Sequence, residues 1–368
     1  MSTVDLPENG PQDGMMHAAV YVGHAHIEVQ RVTIPEIGPG ELLVRVEACG
    51  ICHTDLKKIE HNLLSAPRIY GHESAGVVVA VGTGVARYRV GDRVVAFHHI
   101  PCRSCFYCDR KLYAQCETYK RVGITAGFEP AGGGFAQYIR VMDWIVRDGG
   151  VELIPDGVGF DVASFVEPVN TCHKAVVAMD PQPGDVVLIQ GQGPIGLVFT
   201  MLVARTGATV VATDTIPERL ALARRFGAVE ALDPRTSDVA GLLKRMSCGR
   251  GADQVFVAAS VPGLVEQAMA AARPGARILL FAQTSDTERI ELSGAGICKM
   301  ERTLLGVYSA SVELQPETAR LVFSGELPVA QLISHRLPLD EIEEGIRLAL
   351  HPDGKSLKIM ILPQRLSA

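Results

Sequence analysis

Val186-Val-Leu-Ile-Gln190 runs directly into Gly191-Gln-Gly193-Pro194-Ile195-Gly196, and residues 195–205 continue with helical periodicity. A short apolar, β-branched run, a G-x-G-x-x-G loop and a helix, in that order, form the context in which this motif holds a dinucleotide. Gly191 permits the tight turn, Gly193 lets the backbone approach a pyrophosphate, and Gly196 allows close helix–strand packing. The helix N-terminus, opened by Pro194 and Ile195, favours the negative charge. Asp214 ends the next strand, where an acid binds ribose hydroxyls and repels a 2′-phosphate, and no Lys or Arg follows it until Arg219. The expected cofactor is therefore NAD rather than NADP.

Outward from this loop, strand-like and helix-like segments alternate from about residue 167. Thr209–Thr213, Ala228–Leu232 and residues 254–258, 277–281 and 303–307 read as strands. Residues 218–226, 239–246 and 263–272 read as helices. Such alternation implies parallel strands with crossover helices, an α/β fold with a doubly wound Rossmann domain, assigned to residues 167–310. Residues 17–147 follow another rhythm. Short Val-rich runs at 17–21, 42–48, 76–81, 93–97 and 136–141 are separated by Pro39-Gly40, Gly82-Thr-Gly84 and Gly91-Asp92. They predict a compact, β-rich domain. Beyond residue 312, helices at 317–323 and 341–350 and a strand at Lys358–Leu362 are expected, and pattern alone does not place them.

Length and composition bound the function. A chain of 368 residues with 47% apolar content is long enough for two domains with substantial cores. The net charge of −6 and the scattered Lys and Arg argue against nucleic acid as a partner. No apolar run approaches the ~20 residues of a membrane span. Residues 1–15 are polar and read as a loose tail without the basic start and apolar core of an export signal, so a cytoplasmic location is expected. Of nine cysteines, four are packed as Cys102-x2-Cys105-x2-Cys108-x7-Cys116 within a lobe at residues 98–120. Four thiolates so close can surround one Zn²⁺ tetrahedrally and leave no position open, which makes a structural site; two disulfides or free thiols are the competing reading. His98 and His99, just before it, read as ordinary polar or packing residues.

A second group of donors lies earlier. Cys49-Gly-Ile-Cys52-His53-Thr54-Asp55 follows an apolar strand, and Gly71-His72-Glu73 comes soon after. Cys, His and carboxylate together suit a catalytic metal with an open coordination position, and Glu167-Pro168 offers a further carboxylate. Taken singly, each residue has an ordinary reading: a turn, a surface Glu-Pro, or Cys49 and Cys52 as a Cys-x2-Cys knuckle.

With these motifs, Val90-Gly-Asp-Arg-Val94 and the glycine loop with Asp214 in combination, the chain after its tail resembles the zinc-dependent medium-chain alcohol/polyol dehydrogenases, in their sorbitol/threonine dehydrogenase-like branch. The resemblance implies a GroES-like catalytic domain of residues 16–166 completed by 311–368, a Rossmann domain, and an active site in the cleft between them. It implies two zinc ions per chain. Cys52 and His72 match ligands of the catalytic one. Glu73 resembles a ligand in the sorbitol branch, and Glu167 sits where the alcohol dehydrogenase branch has a third protein ligand. Thr54 matches the hydroxyl that contacts the substrate oxygen, Asp55 the carboxylate that orients the ligand histidine, and His53 a residue near the cofactor pyrophosphate. Where many members carry a relay histidine, this chain has Lys57, and Thr54 is expected to pass its proton towards His53, Lys57 or water. The sorbitol branch has an Arg-Tyr pair after its last Rossmann strand, whereas Gly306-Val-Tyr308 is followed here by Ser309-Ala310. Leu63, Phe128 and Tyr308 are the expected pocket residues. The implied activity is hydride transfer between NAD and a secondary alcohol or polyol, or the matching carbonyl compound. A threonine-type amino-alcohol dehydrogenase is the alternative, and a zinc-free reductase or a non-enzymatic NAD-binding regulator are the rivals. The partners implied are a small-molecule substrate and a second or further copies of the chain, as a homo-dimer or homo-tetramer.

Overall fold

The computed structural model describes residues 13–282 and 289–367, so most of the expected tail, residues 1–12, lies outside the described residues. The chain divides into two compact units, Met1–Pro168 with Ser311–Ala368, and Val169–Ala310.

The second unit is built on a six-stranded parallel sheet. Its order is Ala228–Leu232, Thr209–Thr213, Val186–Gln190, Ala252–Val257, Ala272–Leu280, Thr303–Gly306. The two central strands, Val186–Gln190 and Ala252–Val257, are buried along their whole length. A parallel strand covered on both faces needs a continuous apolar run instead of alternation, which is why these were readable from sequence. The strand order reverses beside Val186–Gln190, and in open α/β sheets ligands bind at that reversal, outside the strand ends. The helix Pro194–Ala204 begins there, with its proline in the first turn, where a missing N–H costs nothing. Its residues from Gly196 to Val203 are all buried.

The first unit holds an eight-stranded sheet and a separate two-stranded one. Leu42–Gly50 is its organising strand. It pairs antiparallel with Glu73–Val81, Tyr138–Val141 and Lys358–Leu362. The last pairing sets Met360 opposite Gly50 and Ile361 opposite Cys49, so the end of the chain returns to the start of the metal-ligand motif. The core of this unit gathers Tyr21, Leu42, Val44, Leu56, Tyr70 and Phe135, with Trp144 packed against its edge.

Some elements escaped the sequence pattern. Ile333–Pro338 is a strand although it carries Ser, His, Arg and Pro. It lies at the sheet edge, paired among the described residues with Lys358–Leu362 alone, where a proline leaves no ladder bond unmade. Val166–Met179 is a helix of 14 residues that opens on Glu167. Pro168 in its first turn is compatible with that geometry, so Glu-Pro here marks a helix start and not a surface turn.

Candidate functional site

Strand register assembles the first site. Leu42–Gly50 ends, Cys52 takes an extended backbone as the N-cap of helix His53–Glu60, and the neighbouring strand opens with Glu73 opposite Gly50. One ligand atom each from Cys52, His72 and Glu73 lies within 4.8 Å of the others. Asp55, fully buried one turn into the helix, lies with Oδ1 3.0 Å from His72 Nδ1. A carboxylate on Nδ1 fixes that nitrogen as the protonated one and turns Nε2 towards Cys52. Burial opposes charge on His72, but Asp55 and the Cys52 sulfur hold its pKa well above the ordinary value. Burial likewise works to raise Asp55, and His72 beside it wins, so the carboxyl stays below its usual range. Cys49, the other cysteine of the motif, is fully buried, and burial with Glu73 and Asp55 nearby pushes its pKa well up. It packs as a neutral thiol behind the site.

Glu73 has a partner that sequence reasoning missed. The Lys358 ammonium lies against its carboxylate and donates to the Ile51 carbonyl at 3.0 Å. Lys358 is only 5% exposed. Burial disfavours its charge, yet Glu73 and Cys52 raise its pKa above that of a free lysine, so the pair is ionic. Gly50 makes room for it: a Cβ there would stand 2.1 Å from Glu73 Oε2 and 2.7 Å from Lys358 Cε. The signal was a lone Lys opening the fully buried strand Lys-Ile-Met-Ile-Leu, because a buried lysine has to be paired.

Glu167 reaches the same region from the helix that follows. It is 6% exposed, and burial pushes its carboxyl up to about 7 against the pull of His72. Ligand atoms of Glu167, His72 and His98 lie within 4.8 Å of one another. His98, expected to be an ordinary polar or packing residue, is thus brought beside His72 and Glu167. Its ring stands 4.7 Å from that of His72, and His99 continues the row to Tyr119, at 3.9 and 5.1 Å between successive rings. His53, Thr54 and Lys57 share the helix His53–Glu60; His53 is exposed, Thr54 and Lys57 half-buried. His53 and Lys57, four residues apart, lie on one helix face. Leu63 is 58% exposed and Phe128 packs at the core edge of this unit. Tyr308 belongs to the other unit, where its carbonyl accepts from Lys174 Nζ at 2.9 Å.

The four-cysteine lobe is drawn together without disulfides. Sulfur separations of 3.6 Å for Cys105–Cys108 and Cys102–Cys116, and 3.9 Å for Cys102–Cys108, match the ~3.8 Å edge of a tetrahedron with Zn–S bonds of about 2.3 Å. The backbone N–H and hydroxyl of Ser104 hold Cys102 down at about 6, in the thiolate form a metal takes. The donor set fits a closed zinc site, and that of Cys52, His72 and the two glutamates fits an open one.

In the second unit the three loop glycines differ in what requires them. Gly191 has φ +90° and a Cβ there would meet Ala259 at 2.7 Å; one at Gly196 would meet the Gly191 carbonyl at 1.8 Å. A Cβ at Gly193 would meet only Arg219, at 4.0 Å. Protein packing explains the outer two, while the middle one leaves open space in front of a helix N-terminus, which fits a pyrophosphate. Asp214 is held at the strand end by accepting from the N–H groups of Gln192 at 2.6 Å and Ile216 at 2.9 Å. Arg219 Nη1 stands 3.9 Å from its carboxylate.

Comparisons with known proteins give the family. Residues 38–156 match the family model of the alcohol dehydrogenase GroES-like domain and residues 194–324 that of the zinc-binding dehydrogenases. The chain is 30% identical to the sorbitol dehydrogenase of Bacillus subtilis, over 99% of this chain and 100% of that one. It is 33% identical to the L-threonine 3-dehydrogenase of Symbiobacterium thermophilum, over 91% and 94% respectively. A crystal structure of a zinc-binding dehydrogenase from Sinorhizobium meliloti, bound to NADP, superposes with a TM-score of 0.85 at 29% identity, covering 95% of this chain and 99% of that one. The chain thus belongs to the zinc-dependent medium-chain alcohol/polyol dehydrogenase family and is an oxidoreductase. No helix among the described residues is long and apolar enough to cross a membrane.

Proposed function

We propose that the chain is an NAD-dependent dehydrogenase of a secondary alcohol or polyol, with one zinc at Cys52, His72 and Glu167 and a structural one at Cys102, Cys105, Cys108 and Cys116. The observation that carries this is that Cys52 and His72 converge with Glu73 at one sheet end and that His72 also meets the buried carboxylate of Glu167, with Asp55 on the far side of the imidazole. When bound, the zinc supplies Lewis acidity that lowers the pKa of a hydroxyl, and the nicotinamide supplies the hydride acceptor. The chain's own residues do the positioning. Asp55 keeps the His72 Nε2 lone pair aimed at the ligand position. Thr54, two residues after Cys52, takes the proton that leaves the substrate hydroxyl and passes it towards His53, Lys57 or water. Lys358 neutralises Glu73, so the site carries less negative charge than its ligand count suggests.

Gly191, Gly193, Pro194, Ile195 and Gly196 cradle the pyrophosphate, and Asp214 takes the ribose hydroxyls. The pinned carboxylate of Asp214 supports NAD over NADP, since it would repel a 2′-phosphate. A cytoplasmic dimer or tetramer is the state this reading carries with it. A second reading, an amino-alcohol dehydrogenase, draws on the 33% identity to a threonine dehydrogenase and on Ser309-Ala310 standing where polyol-gripping residues would be. A panel of secondary alcohols, polyols and L-threonine, followed by NADH absorbance, separates the two. Turnover of L-threonine well above every polyol would replace the first reading with the second, and no NADH formation with any of them would overturn both.

A further inference from the structure

His72 belongs to two overlapping ligand sets, one with Cys52 and Glu73, the other with His98 and Glu167. The first is compromised, because Glu73 is engaged by the buried Lys358. The second is not. His98 Nδ1 is buried and has no hydrogen-bond partner. A polar nitrogen removed from water without a partner calls for a ligand in the functional state.

Register explains how His98 comes to lie there. Strands Glu73–Val81 and Arg93–Ala96 run antiparallel, with Val77 opposite Arg93, Gly76 opposite Val94 and Ala75 opposite Val95. Continued three residues past the last pair, the same register sets His98 opposite His72. The two rings stand 4.7 Å apart at 44°. The ligand atoms of His72, His98 and Glu167 are within 4.8 Å of one another, against a tetrahedral edge of ~3.3 Å for Zn–N and Zn–O bonds of about 2.0–2.1 Å. His99, next along, also has a buried Nδ1 without a partner, but among the described residues it joins no such ligand cluster; it bonds to the backbone of Arg121 and stacks on Tyr119, and so acts as a packed support for the His98 ring.

We propose that His98 is a protein ligand of the catalytic metal, joining Cys52, His72 and Glu167, while Lys358 keeps Glu73 out of the shell. A fourth protein ligand occupies the position that substrate needs, so His98 yields that position when a substrate hydroxyl binds. This inference rests on the zinc reading of the site given above.

The test replaces the catalytic ion with Co²⁺ while the structural zinc stays in place, in the full chain and in His98→Phe and His98→Asn. Metal per chain, cobalt affinity by chelator competition and the visible cobalt absorption are read. The expected result is two metals per chain in the parent, and in both variants a retained structural zinc, cobalt affinity lower by about 10-fold or more, and a changed absorption spectrum. Unchanged affinity and spectrum in a variant that keeps its structural zinc and its circular dichroism overturn the proposal. Asn, smaller than His, keeps the question answerable should the Phe variant not fold. A parent that holds only one metal per chain overturns the zinc reading itself, which distinguishes that failure from the failure of His98 as a ligand.

Discussion

Removing the Lys358 ammonium by Lys358→Met tests whether the buried ion pair organises the site. Glu73 is 1% exposed and Lys358 5%, so neither charge can recover its hydration without local opening. Breaking such a pair from one side costs about 3–5 kcal/mol, because it strands the other charge. Removing both charges together is close to neutral when the replacements pack well. Lys358→Met should therefore lower unfolding free energy by about 3–5 kcal/mol at pH 7, while Lys358→Met with Glu73→Gln should recover most of it. Urea unfolding of the metal-free protein and its variants reads both quantities in one double-mutant cycle. The reasoning is refuted if the single variant stays within about 1 kcal/mol of the parent, or if the double variant is destabilised as much as the single one.

Three further expectations follow from the sites. Asp214→Ala removes the acid held at the Gln192 and Ile216 N–H groups and leaves Arg219 beside the ribose position, so the ratio of kcat/KM for NAD over NADP should fall at least about tenfold; an unchanged ratio refutes the role given to Asp214. In the metal-free protein, Glu167 keeps its proton in the folded state up to about 7, whereas an unfolded chain loses it near 4.5. The folded state binds more protons in that window, so stability should fall as pH rises from about 4.5 to 7, and Glu167→Gln should flatten the slope in urea titrations. Cys116→Ser leaves three sulfurs in the lobe, and one zinc per chain should be lost while NADH binding, measured by fluorescence, survives.

Sequence legibility followed the range of the interactions. The glycine loop, Asp214 and the four-cysteine lobe are local patterns, each confined to a short span, and they were readable as they stand. Val186–Gln190 and Thr209–Thr213 were readable to the residue because buried parallel strands leave an unbroken apolar run. Cys52, His72 and Asp55 needed the family resemblance, since nothing in a Gly-His-Glu triplet says which strand it meets. Lys358 and His98 were not read as site residues, and the one signal was the lone Lys at the head of an apolar strand. Lys358 reaches Glu73 only because the last strand pairs with Leu42–Gly50, and His98 reaches His72 only through the register of two strands. Both depend on pairings between residues far apart in sequence. The helix at Val166–Met179 was hidden by its Glu-Pro opening, which reads as a turn until the burial of Glu167 is seen.

The central claim is that a metal held at Cys52 and His72 runs the chemistry. Metal content and turnover of Cys52→Ser, measured on one preparation with NADH binding as the control for folding, test it most directly. Two zinc ions per chain are expected in the parent and one in the variant, with turnover abolished and NADH binding retained. Turnover at the parent's rate with the second zinc gone would contradict it.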